Sequence, residues 1–125
     1  RNWSPYILPQ TVDSVIFDNI TGPADDYEVI IDNLVVPYVS GIHVNPSAGK
    51  NITVIIPNTN TNSPAIDLAA NGSGLVIGEG SIFINNSGAT SGDPIMFHSS
   101  GGIYPPFKIE NGGRYIHKTS AQVQA

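Results

Sequence analysis

The chain has 125 residues, only 12 % of them charged, with ten Asp/Glu against five Lys/Arg and a formal net charge of −5. That acidic balance argues against nucleic acid or an anionic membrane surface as partner, since both need clustered cations. There is no cysteine, which excludes disulfides and thiolate metal sites, and no stretch approaches the roughly 20 apolar residues of a membrane helix.

The chain opens at Arg1 with neither Met nor an apolar signal region, so it reads as a processed or excised piece of a longer protein. Residues 1–13 hold Trp3, Pro5, Tyr6 and Pro9. Prolines cannot donate ladder hydrogen bonds and Trp covers apolar surface, so an N-terminal cap is expected there. Short β-branched segments then follow one another. Strands are predicted at Ser14–Asp18, Tyr27–Asp32, Gly41–Val44, Asn51–Ile56 and Ala65–Ala69. Five more follow at Gly74–Ile77, Ser81–Asn85, Pro94–His98, Phe107–Glu110 and Arg114–Lys118, and residues 119–125 form a tail. They recur about every 8–13 residues with Gly, Asn, Ser and Pro between them, which signals an all-β fold. No window keeps a helical apolar period without interruption.

Two architectures compete. A β-sandwich wants strands of five to eight residues joined by hairpin turns. A right-handed parallel β-helix, a solenoid, wants brief strands separated by turns that stack coil on coil. Each strand here offers two or three apolar residues at period two and then turns, and no two-residue hairpin signal joins long alternating runs. The β-helix is therefore the expected fold over a single 1–125 domain, with coils at 14–118, of about 20–25 residues each and roughly five in number. The residues expected to face inward are Val29/Ile31, Ile52/Val54/Ile56, Ile66/Leu68, Leu75/Ile77, Ile82/Ile84, Ile95/Phe97 and Ile109.

At the N-terminus, Asn2-Trp3-Ser4-Pro5, then Leu8-Pro9, then Asp13-x-Val15-x-Phe17 resembles a recurring opening of large secreted bacterial surface proteins. The stretches YEVIIDN, VSGIHVNPSAGKNITV and IENGGRYIHK are similar to successive coils of that family. The family's members are common among gliding and host-associated Gram-negative bacteria and leave the cell by type IX secretion. The resemblance implies an exported, extracellular chain with a structural and adhesive role, as stalk or adhesin scaffold, and it carries over no catalytic residue. A second Trp-containing turn, frequent in the family, is missing, and no sorting domain follows Ala125, both of which suggest a fragment. Partners implied are further coils of its own chain, other copies, glycans or the secretion machinery, with no membrane insertion. Asp13-Ser14-Val15 is similar to the short acceptor of bacterial O-glycosylation, which marks Ser14.

Candidate chemistry is sparse. His43, His98 and His117 have no second ligand at metal spacing. Asp25, Asp26 and Glu28 form the one local acidic cluster, a calcium candidate set against the simpler reading of a solvated turn. Asp67, Glu79 and Asp93 are isolated in sequence; carbohydrate cleavage by a β-helix would need such carboxylates brought together from neighbouring coils. Tyr38, Tyr104 and Tyr115 are candidates to stack on sugar rings, and His117 shares a strand face with Tyr115. Five Asn-x-Ser/Thr triplets, at Asn2, Asn19, Asn51, Asn71 and Asn85, are acceptors by pattern and expected by chance in so Asn- and Ser-rich a chain. No enzyme motif is present, and the expectation is a non-enzymatic protein with no cofactor.

Overall fold

The structure, a computed structural model, describes residues 9–122. Trp3, Pro5 and Tyr6, expected to cap the first coil, lie outside the described residues. Among those described there is no helix and there are eleven strands. They are β1 (Ser14–Asp18), β2 (Tyr27–Ile30), β3 (Tyr38–Val39), β4 (Gly41–Asn45), β5 (Ile52–Ile56) and β6 (Ile66–Leu68), then β7 (Gly74–Ile77), β8 (Ser81–Asn85), β9 (Ile95–Phe97), β10 (Phe107–Ile109) and β11 (Arg114–His117). The ten predicted strands are all present; the two-residue β3 was missed, because a strand that short has no readable period.

Every strand pair is parallel and joins a strand to the one three places on. The first sheet runs β1-β4-β7-β10, the second β2-β5-β8-β11, and the third β3-β6-β9. The chain is a parallel β-solenoid of three sheets and about four turns. Partnered residues lie 25 to 33 positions apart, as Tyr27 opposite Ile52 and Gly41 opposite Gly74. The turns are thus longer and fewer than the expected 20–25 residues and five coils. The excess sits in loops such as the cis-proline segment at Ser63-Pro64 and the glycine-rich turn before β10.

The interior is a stacked column of aliphatic side chains. Ile42, Val44, Ile52, Val54, Ile56, Ile66, Leu68, Leu75, Ile77 and Ile95 are all buried, and Phe83 is the largest side chain that is fully so. In β8 the expected phase is reversed. Phe83 faces inward, in register with Val54, while Ile82 and Ile84 face out and are half-buried. The segment SIFIN is apolar at three consecutive positions, so alternation cannot choose between them. The choice falls to Ser81 and Asn85, whose side chains are satisfied inside: Ser81 Oγ donates to Val44 O at 3.1 Å, and Asn85 is fully buried.

Buried polar side chains repeat the same device in successive turns. Asn60 Nδ2 donates to the carbonyls of Ile31 and Asp32 in the turn before, at 2.9 and 3.0 Å, and Asn60 Oδ1 accepts from Asn62 N–H. Ser87 Oγ likewise meets Asn60 O at 3.3 Å and accepts from Ala89 N–H, and Thr119 Oγ1 does so with Ala89 O and Ala121 N–H. Each side chain satisfies carbonyl oxygens of the turn below, two for Asn60 and one each for Ser87 and Thr119, and one amide two residues on, so side chains hold the bend. At the corner entering the first sheet, Gly74 has φ 78°, and a Cβ there would lie 1.9 Å from Pro106 O. Only glycine fits that approach.

Candidate functional site

Because side chains alternate across each strand, functional groups can stand on the outer faces of the three sheets, in the loops between strands, or at the ends of the column. On the third sheet the outward row is Tyr38, Asp67 and Met96, in register across β3, β6 and β9. His98, one step past β9, comes back over Asp67. Its Nε2 contacts Asp67 Oδ1, and its ring lies 5.6 Å from that of Tyr38. The contact lies within ion-pair reach, and this buried carboxylate oxygen has no other polar partner among the described residues. Sequence reasoning took His98 and Asp67 as isolated. The signal that joins them is the turn length: at about 30 residues per turn, position 98 falls above position 67.

Tyr115 and His117 share a face, as expected, but it is the inner one. In the fourth turn Tyr115 lies over Phe83, with ring centroids 6.2 Å apart, and meets Phe107 edge-on at 5.4 Å. The Tyr115 hydroxyl accepts from Asn85 Nδ2 at 3.1 Å and lies 2.9 Å from His117 Nδ1. His117 Nε2 is 3.0 Å from the Ala121 carbonyl, so Nε2 carries the proton and Nδ1 accepts from the phenol. Burial pushes the Tyr115 phenol above its ordinary value of 10.0, with the Asn85 hydrogen bond opposing. All these polar atoms are satisfied internally, and Tyr115 serves as core. Tyr104 stands apart from both groups, exposed in the loop after the tight Ser100–Ile103 bridge.

The acidic loop does not converge. Asp25 Oδ1 pairs with Lys50 Nζ at 3.0 Å, Asp26 Oδ1 accepts the Asn51 N–H at 2.9 Å, and Glu28 points outward from β2. The first two tie the first turn to the second. Among the described residues no three His, Asp or Glu side chains gather at one point. Ser14 is exposed, with its Oγ 2.8 Å from Ser73 Oγ. Of the Asn triplets, Asn85 is buried and Asn19 is engaged: its Oδ1 accepts from Ser47 N–H, and its Nδ2 donates to Pro23 and Asp25 carbonyls. Asn51 and Asn71 are exposed, and Asn2 lies outside the described residues.

The first turn and the second sheet present further surface. At the first described turn a cleft of about 1080 Å³ is lined by Val15, Phe17, Tyr27, Val29 and Ile31, inward residues that are only partly buried. On the outer face of the second sheet, Ile30, Ile55, Ile84 and Ile116 are in register across all four turns. Compared with known proteins, the chain matches no family model, no curated protein and no solved structure.

Proposed function

We propose that this chain is a structural and adhesive segment of an exported cell-surface protein, a stiff rod whose outer faces present side chains to partners. The observation that carries the reading is the state of the fourth turn. Phe107 and Ile109 occupy the inward positions directly above Leu75 and Ile77. The lower pair is fully buried, yet Phe107 is 39 % and Ile109 48 % exposed. An open end of this kind is what another turn, or another copy, covers in a solenoid whose repeats contact only their neighbours. A rod built by stacking gains stiffness and length without needing a catalytic cleft, and the reading assigns the chain no turnover. Antibody labelling of intact cells, with protease shaving, tests the location: labelling confined to broken cells refutes it. Hydrogen exchange tests the open end. The Arg114–His117 amides should exchange quickly in the isolated chain, and slow exchange in a monomer would refute an uncovered last turn.

A second reading, a carbohydrate-binding or polysaccharide-cleaving β-helix, is favoured by the Tyr38–Asp67–His98 group, an aromatic ring beside a carboxylate and an imidazole on one outer face. Incubation with a polysaccharide panel separates the two. Release of reducing ends or unsaturated products that stopped on Asp67→Asn would replace the structural reading.

A further inference from the structure

The outer face of the second sheet has a layout that a stalk does not require. Its middle column is Ile30, Ile55, Ile84 and Ile116, one from each turn, with Ile30 52 % exposed. The flanking column runs Glu28, Thr53, Ile82 and Arg114, again in register. By alternation, the column on the other side begins with Asp32 after β2 and ends with Lys118 after β11, both exposed. The first turn thus frames the apolar ladder with two acids and the fourth frames it with two bases. Glu28, Arg114 and Lys118 have no ion-pair partner among the described residues.

We propose that this face joins two copies of the chain, face to face and with their solenoid axes antiparallel. A two-fold axis lying in the interface along the strand direction keeps each column and reverses the order of turns. Ile55 then meets Ile84 of the second copy, Ile30 meets Ile116, Glu28 meets Arg114, and Asp32 meets Lys118. The contact is isologous, so every pair occurs twice and the assembly closes as a dimer. Turning the second copy about the solenoid axis instead exchanges the flanking columns and sets Glu28 against Asp32 and Arg114 against Lys118. The charges therefore reject the parallel dimer as well as favouring the antiparallel one. Two faces of this type pack about 10 Å apart, which is the reach of interdigitating isoleucines.

The face is small. Four strands about 4.8 Å apart and five residues of about 3.3 Å give on the order of 300 Å² of plane, against about 800 Å² per partner in a standard interface. Association in free solution is correspondingly weak, on the order of 100 µM. Chains anchored side by side on one surface meet at effective concentrations near millimolar, where a weak homotypic contact suffices to bundle rods.

Sedimentation of the chain from about 10 µM to 1 mM tests the inference. A single monomer–dimer equilibrium is expected, weakened several-fold at high salt as the ion pairs are screened. Glu28→Arg should weaken it about tenfold, and Glu28→Arg with Arg114→Glu should bring it back. Ile55→Lys, in the second turn with a strand on either side, should abolish the dimer while circular dichroism stays unchanged. A chain monomeric at 1 mM overturns the proposal. So does association that survives Ile55→Lys, or that grows without limit, which is the mark of end-to-end stacking. Should Ile55→Lys fail to fold, the charge-swap pair decides: failure of the double variant to restore the dimer refutes the pairing.

Discussion

The reversed phase of β8 gives the most direct test of the interior. Phe83 is fully buried between Val54 on one side and Tyr115 on the other, and its ring stacks on that of Tyr115. Replacing it with Ala removes a large buried side chain, a change that costs about 3–5 kcal/mol in well-packed cores. Phe83 lies one turn from the open end, where Tyr115 can settle into part of the space, so the lower figure of about 3 kcal/mol applies. Ile84→Ala removes three carbons from a half-buried outward position. At about 0.8 kcal/mol per fully buried carbon, halved for exposure, the cost is about 1 kcal/mol. With a urea slope of about 1.5 kcal/mol/M, the midpoint of unfolding should fall by about 2 M for Phe83→Ala and by under about 1 M for Ile84→Ala. Circular dichroism across a urea series reads both. An Ile84→Ala loss equal to or above that of Phe83→Ala would refute the register of the whole second sheet, since Phe83 is pinned to Val54 and Tyr115 by the same ladder.

Other perturbations test other links. Val54 is fully buried, and Val54→Asp places a carboxylate there without a partner; a loss of several kcal/mol or failure to fold is expected, and an equally stable soluble variant argues against the inward position. Asn60→Ala strands the Ile31 and Asp32 carbonyls and should lower stability by about 1–3 kcal/mol in the same urea assay, with no change meaning that the staple is idle. Tyr27, raised by burial and then by the Asp18 charge, and Tyr115, raised by burial, both favour the neutral phenol in the fold. Their contribution is complete below the unfolded value of 10.0 and is lost as pH rises through the higher folded values. The urea midpoint should therefore decline above that pH, and less steeply in Tyr115→Phe; a midpoint that rises with alkalinity contradicts the burial of both rings.

Much of the fold was legible in the sequence. Strands such as NITVII and AIDLA alternate apolar with polar or β-branched residues, so their existence and inward face followed from period two. Where the sequence misled, the cause is specific. SIFIN has no polar residue at its centre to break the tie, and the deciding groups, Ser81 and Asn85, look like surface residues until Val44 O and Tyr115 OH are placed beside them. The turn length was hidden because loops of unequal size intervene, so no fixed repeat exists to align. That one unknown concealed the Asp67–His98 pair, the inward setting of Tyr115 and His117, and the columns of the second sheet. All three are relations between residues about one turn apart. The acidic loop is a separate case: Asp25, Asp26 and Glu28 lie within four residues, and Lys50 and Asn51 of the next turn engage the first two, a relation again hidden by the turn length.

The charges at the two ends of the second sheet admit a rival account, and the middle turns decide between them. Arg114 and Lys118 over Glu28 and Asp32 of another copy would also suit end-to-end stacking, in which β11 extends its ladder onto β2. That arrangement makes no use of Ile55 and Ile84, which would then stand outward only because β-branched residues suit strands. Ile55→Thr separates the two explanations, since threonine keeps the branched shape and the strand preference while placing a hydroxyl on the face. If strand preference is the whole reason for Ile55, the variant should associate as the parent does. If Ile55 packs against Ile84 of a second copy, the dimer should weaken markedly, because the contact occurs twice and each hydroxyl enters an apolar strip unpartnered. Monomer stability should change by under about 1 kcal/mol in either case, the full span of strand preference. Undiminished association of the Ile55→Thr chain, with its urea midpoint intact, would return the charges to the ends of the rod.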